Sequence, residues 1–267
     1  MRLDDVRGFV FDVDGSLVHR GSDFRARPLP GAVELLDAIR ASGRPLVLFT
    51  NGSHVGPAAF AAGLREDGLP VEDDELLTPV CSALSYLAHR HPGEPALVLA
   101  SEATRQDMAR AGVPLTDGDE AGVVFVAHVD EVDLDAMERA ARAVSRGARL
   151  LTANYQRGYW GAGGLVFSRG AMVTAGIARV TGARPVVVGK PSKAAVQEIS
   201  DRLGLPPDQL AVIGDDLDMD VVLGRLGGSR TILVRSGISG GVDIARVPER
   251  RRPDAVVDGV KEVLGWL

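Results

Sequence analysis

Short apolar runs alternate with amphipathic stretches along the whole chain. The runs are "GFVFDV" (8–13), "PLVLFT" (45–50), "ALVLAS" (96–101), "VVFVAHV" (123–129), "RLLTAN" (149–154), "PVVVGK" (185–190), "LAVIGDD" (210–216) and "TILVRS" (231–236). Several are apolar throughout, as in parallel strands covered on both faces. Stretches with helical spacing lie between them, at 31–42, 54–67, 80–90, 133–146, 170–181 and 193–203. Strand-then-helix repetition predicts an α/β fold with a parallel sheet.

Four of these strand ends carry polar residues. They are Asp12 and Asp14, then Thr50 and Asn51, then Lys190, then Asp215 and Asp216. Ligands of open parallel sheets bind outside the C-terminal ends of the strands, so the pattern predicts one rim bearing acids, a hydroxyl and a lysine. Residues 52–189 separate the second and third of these ends. One strand-to-strand crossover takes roughly 30 residues, so this gap is several crossovers long, and it has its own strand–helix alternation. A Rossmann-like parallel-sheet core over 1–78 and 184–267, with an inserted α/β domain over 79–183, is expected.

Composition narrows the function classes. The chain has 267 residues, 45% hydrophobic and 25% charged, with a net charge of −6. That balance argues against a broad nucleic-acid surface. The run Arg250, Arg251 and Arg252, between Pro248 and Pro253, reads as a solvated loop. Cys81 is the single cysteine, which excludes an intramolecular disulfide and a cysteine-cluster zinc site. No run approaches the roughly 20 apolar residues of a membrane helix, and "MRLDDVRGFV" is not a signal peptide. A cytoplasmic protein without membrane or nucleic-acid partners is expected.

The strand ends carry the chemistry. Asp12 and Asp14 share a face if their strand stays regular. Two carboxylates that close raise one another's proton affinity unless a cation sits beside them. Magnesium, which prefers oxygen ligands and a few carboxylates with phosphate, suits them. "VIGDDLDMD" supplies a third acid, Asp215, with Asp216 and Asp220 beside it; Asp218 reads as the exposed one. "LFTNGS" offers the Thr50 hydroxyl and the Asn51 and Gly52 amides at a strand-to-helix turn, where anions bind. Lys190 brings a compact positive charge. Each feature alone has a simpler reading, as an Asx turn, a helix cap or a surface lysine. Together they describe phosphoryl transfer to a carboxylate, with a second carboxyl moving the proton.

These residues resemble the haloacid dehalogenase superfamily of phosphohydrolases over nearly the whole chain. Its signature D-x-D-G-[TSV] appears as Asp12-Val13-Asp14-Gly15-Ser16, its second motif as Thr50-Asn51-Gly52, its lysine motif as Gly189-Lys190-Pro191-Ser192, and G-D-x-x-x-x-D as Gly214-Asp215 with Asp220. The insert, "TNGS", "GKPS" and "RPDAVVDGVKEVL" are similar to subfamily IIA, the NagD and 4-nitrophenylphosphatase-like group. The resemblance implies a magnesium-dependent phosphatase of small phosphorylated metabolites. Asp12 would be nucleophile and metal ligand, and Asp14 general acid/base with its backbone carbonyl on the metal. Thr50, Asn51, Gly52 and Lys190 would hold the phosphoryl group. Asp215 would ligate magnesium, and Asp216 and Asp220 would orient its water. The insert would be a cap that reads the leaving group and carries a homodimer contact.

Two departures stand out. Met219 replaces the usual Thr before the last acid. The cap loop, commonly T-N-P-D, reads "TANYQRGYW" (152–160), so Asn154, Tyr155 and Tyr159 are the candidate substrate contacts and no particular substrate carries over. Two competitors remain: a phosphotransferase or mutase with the same aspartyl-phosphate chemistry, and a non-enzymatic receiver-like phospho-acceptor.

Overall fold

The structure is a computed structural model that describes residues 2–21, 23, 25–161 and 164–267, apart from the side chains of Tyr159, Trp160 and Leu165. The chain divides into two compact units. One comprises residues 1–50, 57–77 and 190–267, the other 51–56 and 78–189.

The first unit is built on a six-stranded sheet in the order Ala255–Val257, Arg230–Val234, Leu210–Gly214, Gly8–Phe11, Leu46–Phe49, Leu76–Leu77. Every neighbouring pair is parallel. Gly8–Phe11 and Leu46–Phe49 are buried at every position, which is why they read as unbroken apolar runs rather than alternating ones. Helix Ala32–Ala41 buries Ala32, Leu35, Leu36 and Ile39, the stripe of a one-sided amphipathic helix. Helix Lys193–Leu203 starts where the Ser192 side chain accepts from the Ala195 amide and stops at left-handed Gly204, the usual polar start and glycine end.

Connectivity places the site. Gly8–Phe11 pairs on one side with Leu46–Phe49, the strand that follows helix Ala32–Ala41, and on the other with Leu210–Gly214, some two hundred residues on. The strand order reverses there, and such a switch point leaves a crevice beyond the strand's C-terminal end. Asp12 stands at that end.

The second unit has a four-stranded parallel sheet in the order Val186–Val187, Arg149–Thr152, Val123–Val126, Ala96–Leu99. Helices Leu134–Ser145 and Arg169–Thr181 pack on it through a core that includes Val124, Val126, Ala140, Leu150 and Ile177. An antiparallel hairpin joins Gly158–Gly161 to Gly164–Phe167.

Three expectations need correction. Val186–Val187 pairs with Leu151 and Thr152 in the second unit's sheet, so Lys190 does not end a strand of the six-stranded sheet. It lies three residues beyond that pairing, just before helix Lys193–Leu203. Asp12 and Asp14 do not ride on a regular strand, because the strand ends at Phe11 and the chain turns. The arginine run is not simply solvated: Arg251 pairs with Asp218, and Arg252 donates to the Val247 carbonyl at 3.1 Å. No helix among the described residues is long and apolar enough to cross a membrane.

Candidate active site

Asp12 is fixed before any ligand arrives. Its amide donates to the Ile213 carbonyl at 2.9 Å, extending the pairing with the neighbouring strand. Lys190 Nζ donates to Oδ1 at 2.6 Å and Ser16 Oγ to Oδ2 at 3.0 Å. Each oxygen keeps a second lone pair. Ser16 is wholly buried. It sat inside the recognised motif, but nothing in the sequence assigned its hydroxyl to Asp12; the four-residue spacing across the Gly15 turn was the available signal.

Gly15 makes that turn. Its φ is +86°, the left-handed region that favours glycine. A Cβ there would lie 2.5 Å from Asp215 Oδ2, and one on Gly237 only 1.9 Å from the same atom. Two glycines thus let two chain segments close on one carboxylate. Asp215 ends strand Leu210–Gly214 and is 2% exposed. Its Oδ2 accepts from the Ile238 amide at 2.6 Å, and its carbonyl from the Ser239 amide at 3.0 Å. The segment "SGISG" (236–240) was not anticipated, because glycine and serine after a strand announce only a loop.

Asp220 is equally buried. It accepts from Lys190 Nζ at 2.8 Å through Oδ1 and from the Asp216 amide at 3.1 Å through Oδ2. The Asp216 side chain turns to its own loop, accepting from the Asp218 and Met219 amides at 2.7 and 3.3 Å. Asp218 is exposed, as expected.

Asp14 differs from its neighbours. Its carboxylate is 46% exposed and pairs with Arg20, whose Nε lies 2.5 Å from Oδ1. Desolvation in the recess pushes the Asp14 carboxyl above its usual range; the Arg20 charge pulls the other way and the Asp12 charge adds to the rise.

Thr50 follows strand Leu46–Phe49, is buried, and donates its amide to the Leu77 carbonyl at 3.1 Å. Asn51 and Gly52 continue the chain into the second unit. There, Asn154 accepts from Ser168 Oγ at 3.1 Å and Tyr155 is exposed. The Tyr159 side chain lies outside the described residues.

The charges do not balance. Ligand oxygens of Asp12, Asp215 and Asp220 all lie within 4.8 Å of one another, facing the single Lys190 ammonium. Burial pushes Asp215 up to about 8, with the Asp12 and Asp220 charges adding to it. Burial likewise raises Asp220, against the pull of Lys190. Burial alone would lower the Lys190 ammonium, yet Asp12 and Asp220 hold it above its ordinary value. Three carboxylates against one ammonium, in a recess that resists their ionisation, fit a hard divalent cation.

Comparison with known proteins agrees with this geometry. The profile of the haloacid dehalogenase-like hydrolases matches residues 9–114, and that of HAD-hydrolase-like proteins residues 187–263. Ribonucleotide monophosphatase NagD of Escherichia coli is 30% identical over 97% of this chain and 98% of its own length. Dihydroxyacetone phosphatase of Corynebacterium glutamicum is 27% identical over 96% of this chain and 90% of its own. The structure of p-nitrophenyl phosphatase from Archaeoglobus fulgidus superposes with a TM-score of 0.87 at 29% identity, covering 98% of this chain and 100% of the other. Since the likeness runs end to end and includes the strand ends described above, the chain belongs to the haloacid dehalogenase-like hydrolases, as an enzyme of the phosphatase branch that contains NagD and the p-nitrophenyl phosphatases.

Proposed function

We propose that this chain is a magnesium-dependent phosphatase that hydrolyses small phosphomonoesters through an aspartyl-phosphate on Asp12. The observation that carries the reading is the setting of Asp12: one oxygen on buried Lys190, the other on buried Ser16, with Asp215 and Asp220 beside it.

An Asp12 oxygen attacks phosphorus, and the bond to the leaving oxygen breaks as Asp14 delivers its proton there. Asp14, now a carboxylate, takes a proton from water. The water oxygen attacks the phosphorus of the aspartyl-phosphate, phosphate departs, and Asp12 is regenerated. Lys190 is assigned the charge that builds on the phosphoryl oxygens, together with Thr50 and the Asn51 and Gly52 amides. Asp12, Asp215 and the Asp14 carbonyl are assigned to hold magnesium. When bound, the ion supplies the positive charge that lets the carboxylates and a phosphoryl group share one site. Asp220 keeps Lys190 aimed at Asp12, and Asp216 shapes the loop that carries Asp220. The second unit is assigned substrate selection, through Asn154, Tyr155 and Tyr159.

Relatives over most of the chain are named ribonucleotide monophosphatase, dihydroxyacetone phosphatase and acid sugar phosphatase. One core thus serves leaving groups of very different shape, and the proposal names the class of substrate, not its member. Turnover of p-nitrophenyl phosphate should release free phosphate, stop on chelation and return with magnesium. Full activity after chelation would sink the metal assignment. Phosphate appearing on an added alcohol in place of water would favour a transferase.

A further inference from the structure

Asp14 is the one acid of the site left half open, although a proton donor must point the same way at every turnover. An exposed carboxylate on a turn samples several rotamers. What restrains this one comes from the next element in the chain. The turn closes with the Gly15 amide on the Val18 carbonyl at 2.8 Å, and a short hairpin pairs Val18–Arg20 with Ala26–Pro28. Its third residue, Arg20, reaches back six positions to Asp14 Oδ1. The guanidinium also lies over Phe60, its central carbon 5.3 Å from the ring centroid. Phe60 is buried on helix Pro57–Glu66. One cation thus lies over an aromatic ring and holds a carboxylate, with the ring limiting how far the guanidinium can move.

We infer that Arg20 is a positioning residue for the general acid/base: by holding Oδ1 against a ring-backed guanidinium, it leaves Oδ2 to exchange the proton with the leaving oxygen and with water. The inference rests on the reading of Asp14 as acid/base. Exposed ion pairs add little stability, so the value of this pair lies in orientation, where small misplacements of a reacting group are costly.

The test compares two substrates with the same ring and different need for a proton. p-Nitrophenolate leaves readily unprotonated; the phenolate of phenyl phosphate depends more on protonation. kcat/KM reports the first phosphoryl transfer, before the shared hydrolysis step. Arg20→Ala should lower kcat/KM for phenyl phosphate about tenfold more than for p-nitrophenyl phosphate. Arg20→Lys, which keeps the charge but not the Nε–H that meets Oδ1, should recover part of that ratio, and it carries the test alone if Arg20→Ala does not fold. Asp14→Asn should show a larger split, and adding Arg20→Ala to it should widen the split no further. Equal losses on both substrates in the Arg20 variants, with the split intact in Asp14→Asn, would overturn the inference alone. No split in Asp14→Asn would overturn the acid/base reading and the inference with it.

Discussion

Asp12 and Asp14 are two residues apart and occupy opposite settings. Asp12 is 13% exposed, tied through both oxygens to buried donors and set at a strand end. Asp14 is 46% exposed, lies past the end of the strand and is held from a hairpin. A nucleophile works from a fixed position against one atom. A group that first gives a proton and then takes one must reach both the leaving oxygen and water. Rigidity on one side of Val13 and access on the other is the arrangement such a division of labour requires.

The sharpest way to break this contrast is to remove the nucleophile. Asp12→Asn should lower kcat at least about 10⁴-fold while the protein stays folded, as read by circular dichroism and phosphate release. Asp14→Asn should cost about 10² to 10⁴ in kcat with KM little changed, and the melting temperature should hardly move because the side chain is half open. If the two variants lose equal activity on every substrate, the roles are not divided as described.

Lys190→Met attacks the buried side alone. It removes the cation facing three carboxylates, so the metal-free protein should lose about 3–5 kcal/mol in urea unfolding, and kcat should fall about 10²- to 10³-fold. An unchanged unfolding midpoint would show that Lys190 is not the counter-charge.

Next in size is a pH effect confined to the metal-free protein. Asp215 and Asp220 bind protons more tightly folded than unfolded. Their contribution to stability is therefore present below the unfolded carboxylate value of about 4 and lost as pH rises through the shifted values. Without magnesium, the melting temperature should fall between about pH 5 and pH 8, and the rise on adding magnesium should grow over the same range. Asp215→Asn should flatten both trends and stabilise the metal-free form. A magnesium-induced shift independent of pH would contradict the charge account. The smallest expected change is Ser16→Ala, about 1 kcal/mol with a several-fold drop in kcat, since Asp12 loses one of its two side-chain donors.

Much of this was legible in the chain because burial on both faces writes strands as apolar blocks. "GFVFDV" and "PLVLFT" became Gly8–Phe11 and Leu46–Phe49, and the acids beyond them marked the rim. What escaped was short or weakly patterned. Helix Glu102–Arg110 buries only Thr104 and Met108, too thin a stripe to register. Ala255–Val257 and the Val18–Arg20 hairpin strand have three residues each, below the length at which alternation can be read. "PVVVGK" looked like a strand of the core because an apolar run does not say which sheet it joins; its pairing with Leu151 and Thr152 decides that. Ser16 left only a four-residue spacing from Asp12, and the other partners that finish the site, Arg20 and the Ile238 amide, act through contacts that a linear pattern does not encode.

The central claim is the covalent bond to Asp12. The direct measurement is a single turnover of p-nitrophenyl phosphate by Asp14→Asn, in which hydrolysis of the intermediate is slowed, quenched in acid and mapped by peptide mass. The account predicts one phosphoryl group, labile to hydroxylamine, on the peptide containing Asp12. A phosphoryl group on any other residue, or none while nitrophenol is released in stoichiometric amount, would contradict it.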